Sequence, residues 1–548
     1  MLRVIPLGGL GEIGLNAMAF ESRGELLLVD CGLMFPPAHH SGVELVLPDF
    51  TFLRENRARL RGVVLTHGHE DHVGALPFLL RELAAPVYGT RLTLGLVARR
   101  LEEWGVAAEL KEISPRTPFP VGSAFVVEAM RVTHSIPDGV ALAVRTAEEL
   151  VVHTGDFKLD GAPIDGRPTD LERLGELGEE GVSCLLSDST NAEVEEDAGS
   201  ERRVAEALDR LMAGAGGRVI VTLFASNLHR VQTLLDLALR HGRKVVLTGR
   251  SMQRNVELAR SLDFLRVPEA LIVPTEHLGQ LHPAQALVLT TGAQAEPRSA
   301  LVQMTSDEAG DLRVQAGDLV VFSSRTIPGN ERAVSALLDR LLARGVKVAY
   351  AAVEPDVHVS GHAGRGELRR MIHTVRPKSF VPIHGELHHL HQHLELARKT
   401  QVPTGLLLAR DGDVIALEEN RIRMDGRVPV GRVHLDRYGG GILDTTALEE
   451  RSRLAELGLV MAVVVLERST GALASRVRLS AKGTGADEAA LLTSAADEAE
   501  VQLLALSASV RADEALVSET VTRAVRQVFK ARTGKRPAVS VMVVKVPP

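Results

Sequence analysis

The run His67-Gly68-His69-Glu70-Asp71-His72 crowds imidazole and carboxylate groups into six residues. Nitrogen and oxygen donors spaced this closely suit zinc or manganese, and the absence of thiolate argues against a closed structural zinc site. Further donors recur far downstream. His134 closes the apolar run 125–133, Asp156 closes the run 150–155, and His384 closes the run 379–383. Each lies just past a strand-like segment, where a scaffold can hold a side chain rigidly. Two ions about 3.5–4 Å apart can share a bridging water, lower its pKa and neutralise charge on a phosphoryl group. Metal-assisted hydrolysis is therefore the chemistry expected.

The elements that must position these residues fall into a pattern. Residues 1–200 alternate short apolar strands with glycine turns: 3–7, 17–21, 26–30, 61–66, 125–133, 141–145 and 150–153 read as strands, with a helix over 75–83. Residues 201–351 change rhythm. Strands at 218–224, 244–248 and 319–323 alternate with helices, and that βαβ pattern predicts a parallel sheet. The histidine and glycine motifs resume over 352–432, so the first domain reads as interrupted by an inserted one. Residues 433–458, with Gly439-Gly440-Gly441, read as a linker. Residues 459–548 read as a small α+β domain with strands at 460–466, 476–480 and 538–546 and helices over 487–507 and 517–533.

Composition narrows the class. The chain has 548 residues, 45% hydrophobic and 24% charged, which is ordinary for globular domains and enough for three to four of them. No apolar run reaches membrane-spanning length, so no membrane association is expected. The opening residues lack a signal-peptide pattern, and only Cys31 and Cys184 occur, so a reducing cytoplasm is the expected location. A net charge of −7 argues against a purely electrostatic nucleic-acid binder but leaves room for a local basic groove.

The motif H-x-H-x-D-H with later His, Asp and His resembles that of the metallo-β-lactamase superfamily. The resemblance implies an α/β fold: an αββα sandwich split by an inserted β-CASP domain, followed by the C-terminal α+β domain. It implies two divalent ions per chain, zinc, manganese or both. His67, His69 and His134 would hold one, Asp71, His72 and His384 the other, and Asp156 would bridge them. Asp30 would orient ligands rather than bind metal. Asp188 in Ser187-Asp188-Ser189-Thr190, His362 in Val359-Ser360-Gly361-His362-Ala363-Gly364 and His384 match three motifs of the β-CASP branch, whose members act on nucleic acids. The runs 6–14, 224–230 and 323–331, taken in order with the terminal domain, are similar to ribonuclease J. That family implies hydrolysis of RNA to 5′-monophosphate products, 5′→3′ exonuclease with endonuclease action, and assembly as a homodimer or tetramer.

Chemistry suggests further roles. Asp71, His362 and Asp188 are the candidate catalytic residues, His362 protonating or stabilising the leaving oxygen with Asp188 behind it. Ser360, Gly361, His362 and Ala363 could present a hydroxyl, backbone N–H groups and an imidazole to phosphate oxygens. Ser226, Asn227 and His229 open a helix, where an anion is favoured, although Ser226 or Asn227 could equally be an ordinary cap. Ser324 and Arg325 are phosphate-binding candidates against a structural turn. The expected preference is for RNA with a 5′-monophosphate end. His388, His389, His391 and His393 read as the solvated face of a helix, and His358 as structural. A DNA-processing β-CASP nuclease, a small-ester hydrolase and a non-catalytic RNA-binding scaffold are the rival readings.

Overall fold

The computed structural model describes every residue except 37–39, 41, 269, 328, 437–440, 486, 487 and 548. Gly439 and Gly440 of the expected linker and Pro328 of the run 323–331 lie outside the described residues. The chain divides into two compact units: residues 1–35 with 46–432, and residues 36–45 with 433–548.

The larger unit carries an eight-stranded and a seven-stranded sheet. Strand alternation explains how they layer. In Phe125–Arg131, the side chains of Phe125, Val127 and Ala129 join the core that includes Leu2, Phe20 and Leu27 of the eight-stranded sheet. Met130 joins a second core with Leu174, Met371, Leu394 and Ala397 of the helices Leu171–Glu180, Arg365–Val375 and Leu387–Thr400. Strands covered on both faces read as continuous apolar runs, which is what the sequence shows for the central members. This is the αββα sandwich.

The insertion leaves that sandwich without breaking its sheet. Cys184–Asp188 pairs in parallel with Ser379–Ile383, with Asp188 opposite Ile383. Between these neighbours the chain builds a five-stranded sheet, ordered Lys244–Thr248, Ala286–Thr290, Val219–Thr222, Leu319–Phe322 and Lys347–Ala349. Every pairing in it is parallel. Helices such as Glu201–Ala213, Leu228–Arg240 and Glu331–Leu342 pack on its two faces through separate apolar cores.

In the smaller unit, Leu459–Glu467 lies between Arg478–Lys482 and Ala538–Val546. The helices Glu488–Leu504 and Glu514–Thr533 contribute Ala495, Leu503, Val521 and Phe529 to its core. The stretch read as a linker is not bare. It holds the strand Arg432–Asp436 and a helix, Thr445–Leu457, with Asp444 accepting the Ala447 N–H at its start. That helix buries none of its residues, so it has no apolar stripe to announce it. No helix among the described residues is long and apolar enough to cross a membrane.

Candidate metal centre

Strand ends bring the expected donors together. Glu25–Val29 runs parallel to Leu60–Val64 with Val29 opposite Val64, so Asp30 and the histidine run leave the sheet side by side. Leu150–His153, Cys184–Asp188 and Ser379–Ile383 are successive parallel neighbours, and Asp156, Asp188 and His384 follow or close them. One glycine is dictated by this packing. A Cβ on Gly32 would lie 1.6 Å from the Asp71 carbonyl oxygen, because the flanking Cys31 and Leu33 donate their N–H groups to His72 and Glu70 of the motif.

Two donor groups result, sharing Asp156. In the first, His67 Nε2 lies 3.1 Å from His69 Nδ1, which lies 3.2 Å from His134 Nε2. Asp156 Oδ2 stands 3.7 Å from His67 Nε2 and 3.8 Å from His134 Nε2. In the second, His72 Nε2 is 3.3 Å from Asp156 Oδ1 and 3.7 Å from Asp71 Oδ2, while His384 Nε2 is 3.9 Å from Asp71 Oδ2. Four donors about 2.0–2.2 Å from one zinc in a tetrahedron lie roughly 3.4 Å apart, so both groups have the right size. Asp156 Oδ1 is buried with no hydrogen-bond donor in good geometry. A buried carboxylate in that condition needs a cation. The residues present therefore fit a pair of divalent ions.

The supporting bonds of His72, His384 and His134 fall on Nδ1, although Asn16 Nδ2 also lies 3.2 Å from His72 Nε2. Asp30 Oδ2 accepts from His72 Nδ1 at 2.7 Å, while Oδ1 takes the Thr66 N–H at 2.8 Å. Asn16 Oδ1 accepts from His384 Nδ1 at 3.0 Å, and its Nδ2 donates to the Asp71 carbonyl at 3.0 Å. His134 Nδ1 donates to the Gly361 carbonyl at 2.7 Å. Asp30 and His384 themselves sit at φ of 60° and 52°, sparsely populated conformations that cluster at functional sites. Burial pushes His67 and His134 well below the usual imidazole range and His69 down to about 4, keeping them in the neutral, metal-binding form. At His72 burial acts the same way, but Asp156, Asp71 and Asp30 outweigh it and raise the imidazole. Burial raises both Cys31 and Cys184, whose thiols are accordingly unreactive.

Beside the centre, His362 Nδ1 donates to Asp188 Oδ2 at 2.8 Å and lies 3.9 Å from Asp156 Oδ2. Burial opposes protonation, yet Asp188, Asp156 and Asp71 prevail and lift His362 to about 9. Asp188 is fixed by the Thr190 N–H and hydroxyl at 2.9 and 2.8 Å. Asp156, Asp188, His362 and His384 also have donors close enough to form a third grouping.

The Ser360–Ala363 loop is tied down through Asn191, whose Nδ2 donates to Ser360 Oγ at 2.7 Å and to the His362 carbonyl at 2.9 Å. A Cβ on Gly361 would lie 2.9 Å from His134 Cε1, so the loop rests directly on a candidate ligand. The Ala363 N–H is spent on the Phe157 carbonyl at 2.7 Å and the His362 N–H bonds Ser360 Oγ at 3.1 Å. Of the sequence candidates in this loop, Ala363 is buried, while Ser360, Gly361 and His362 retain partial exposure. Asn227 does cap its helix, accepting the Arg230 N–H at 3.1 Å. Ser226 and His229 are partly exposed, Arg325 is exposed, and Ser324 Oγ is buried without a partner. A cleft of about 940 Å³ lined by His69, Glu70, Arg100, Ser226, Arg250 and Arg254, among others, adjoins the centre.

Under the turn that follows Leu2–Gly8, Leu10–Gly11 pairs with Gly385–Glu386, directly after His384. Asp411 Oδ1 accepts the Leu10 N–H at 3.0 Å, and Glu12 is paired with Arg432. Burial and then Glu12 push Asp411 up to about 7.

Sequence reasoning missed Asn16 and Asn191, whose partners lie far away along the chain, and Thr66, which joins Asp30 to the adjoining histidine run. It also misplaced His393. That residue is fully buried, 3.0 Å from Ser189 Oγ and packed on Phe380, because the helix Leu387–Thr400 turns one edge inward. His388 and His391 are exposed as expected. His358 is structural as expected, bonded to Arg230.

Fold and site together define a chain of the metallo-β-lactamase superfamily carrying a β-CASP insertion. Family models agree: residues 10–206 match the metallo-beta-lactamase superfamily, 216–341 the ribonuclease J beta-CASP domain, 345–404 the Zn-dependent metallo-hydrolase RNA specificity domain, and 446–546 the ribonuclease J C-terminal domain. A ribonuclease J of Synechocystis is 44% identical over 88% of this chain and 75% of its own. One of Mycobacterium tuberculosis is 40% identical over 100% of this chain and 97% of its own. The chain belongs to the ribonuclease J family. A crystal structure of a protein of unknown function from Enterococcus faecalis shares the fold, with TM-score 0.53 and 17% identity over 77% of this chain and 99% of that one.

Proposed function

We propose that this protein is a two-metal ribonuclease that hydrolyses RNA to 5′-monophosphate products, as a 5′→3′ exonuclease with endonuclease activity. The observation that carries the reading is the meeting of two donor groups on Asp156, with the His362–Asp188 pair 3.9 Å from the shared carboxylate. A bound pair of divalent ions supplies Lewis acidity, activating water and neutralising phosphoryl charge. His67, His69 and His134 would hold one ion, Asp71, His72 and His384 the other, with Asp156 between.

His362 keeps its Nδ1 proton on Asp188, which leaves Nε2 to deliver a proton to the departing oxygen. Asp188 stands outside both histidine-rich groups, so it sustains His362 in its charged form when Asp71 and Asp156 are engaged by cations. Ser226, Asn227, His229, Ser324, Arg325, Ser360, Gly361 and His362 form the candidate phosphate contacts, suited to a 5′-monophosphate end, whereas Ala363 is buried with its N–H on the Phe157 carbonyl and drops out. Assembly as a homodimer or tetramer, and a cytoplasmic setting, belong to the same proposal. The inserted sheet and the Ser360–Ala363 loop favour a polymeric substrate over a small ester.

The test is a time course on 5′-labelled RNA bearing one or three phosphates, with single-stranded DNA as competitor. Release of the label as a mononucleotide, faster from the monophosphate end, is the expected result. His69→Ala and Asp71→Ala should abolish it while the protein stays folded. Near-wild-type turnover in either variant, 3′-phosphate products, or stronger competition by DNA than by RNA would overturn the proposal.

A further inference from the structure

One cation lies buried behind the three candidate phosphate-facing segments. Arg230, in the first turn of Leu228–Arg240, is only 1% exposed. Its Nε and Nη2 donate to Glu201 Oε2 and Oε1 at 3.2 and 2.6 Å, a bidentate pair. Its Nη1 donates to the Ser323 carbonyl at 2.7 Å and to His358 Nδ1 at 3.1 Å. Its backbone N–H goes to Asn227 Oδ1.

These partners lie in the segments that matter. Asn227 follows Ser226, Ser323 precedes Ser324 and Arg325, and His358 stands two residues before Ser360. Ser323 Oγ also donates to the Val357 carbonyl at 2.7 Å, which ties the second segment to the third. The cluster also bonds the segment that follows Asp156. Glu201 donates its backbone N–H to Asp160 Oδ2 at 3.2 Å, on the stretch that begins at Asp156. Burial keeps His358 neutral, so its Nδ1 can accept from the guanidinium.

Stability does not explain this arrangement. A buried ion pair is often no better than apolar side chains of equal volume. What apolar side chains lack is direction. A guanidinium fixes several partners at once in one plane, and an ammonium cannot reproduce that fork.

We infer that Arg230 is a positioning residue that sets the distance between the 5′-phosphate pocket and the metal centre. It thereby governs cleavage at the chain end more than cleavage at internal bonds. The inference rests on the phosphate-pocket reading proposed above. A misplacement of about 1 Å can cost on the order of 100-fold where reacting groups must be held at a fixed distance. An internal bond has no terminal phosphate to be measured from.

The experiment compares Arg230→Lys with the unmodified enzyme on two substrates, a linear 5′-monophosphate RNA and a circular RNA, with metal content measured on the same samples. The expected result is a kcat/KM for the linear end lowered about 10- to 100-fold, at least about tenfold more than any change on the circle, with both ions bound. Should Arg230→Lys fold poorly, the doubly substituted Glu201→Gln, Arg230→Met protein removes both charges and faces the same comparison. An unchanged kcat/KM at the linear end overturns the inference. So does an equal loss on both substrates or a loss of metal, either of which makes Arg230 a support of the fold. Asn227→Ala and Ser360→Ala, run in parallel, separate the two readings. If they erode end preference and Arg230→Lys does not, only the role of Arg230 fails. If none of them alters end preference, the pocket fails with it.

Discussion

Replacing Asn16 with alanine should weaken one metal position and spare the other. Asn16 serves the second donor group alone: its side chain orients His384 through Nδ1 and holds the Asp71 carbonyl, each at 3.0 Å. The first group is supported without Asn16, by the Gly361 carbonyl on His134 and by Thr66 Oγ1 3.1 Å from His67 Nδ1. Two neutral hydrogen bonds contribute about 0.5–1.5 kcal/mol each, so about 1–3 kcal/mol of orientation is lost. At 1.4 kcal/mol per decade that is roughly 5- to 150-fold in affinity, in line with the 10- to 100-fold typical of such supporting residues. Zinc titration against a chromophoric chelator should show one ion bound as in the unmodified protein and the other weaker by that factor. Turnover should return when metal is in excess. Equal weakening of both ions, or no weakening of either, would refute the division of donors into two groups.

Two further outcomes are expected. His362→Ala should lower turnover about 10²- to 10⁴-fold with both ions retained, as loss of a general acid does. Loss of an ion would instead make His362 a ligand, through the third grouping with Asp156, Asp188 and His384. Asp411 is held up to about 7 against an ordinary carboxyl value of about 3.9, so the folded state binds more protons across that window and stability falls as pH rises through it. Asp411→Asn lacks this fall, so its thermal stability should gain on the unmodified protein between pH 5 and 8, by about 2–3 kcal/mol. A difference independent of pH would count against an Asp411 carboxyl raised by burial and by Glu12.

Much of the centre was legible because its donors announce themselves locally. His67 through His72 form one run, and His134, Asp156 and His384 each close an apolar strand. The βαβ rhythm of the insertion was legible for the same reason, since strand and helix periods alternate within a few residues of one another. What escaped depends on contacts made across the chain. Asn16 is an unremarkable residue in a glycine-rich turn until the fold sets it against His384, 368 residues away. Asn191 gains its meaning from Ser360 and the His362 carbonyl. His393 was misjudged because neighbouring histidines on its helix are exposed, and composition cannot show which edge turns inward. The helix Thr445–Leu457 was hidden because it has no fully buried apolar stripe.

The pairing of Asp188 with Ile383 bears on how the molecule comes to be built. Those two strands are neighbours in the sheet, yet the whole inserted sheet lies between them in the chain. Closing a flexible loop of roughly 200 residues costs about 4–5 kcal/mol of chain entropy, and non-local contacts of that kind form late. If the insertion folds by itself first, its two ends are already drawn together and most of that cost is met before the sandwich closes. His384 can reach Asp156 and Asp71 only after that closure. The second donor group therefore depends on a pairing that spans the insertion, so a substitution that destabilises the inserted sheet should weaken the centre from a distance.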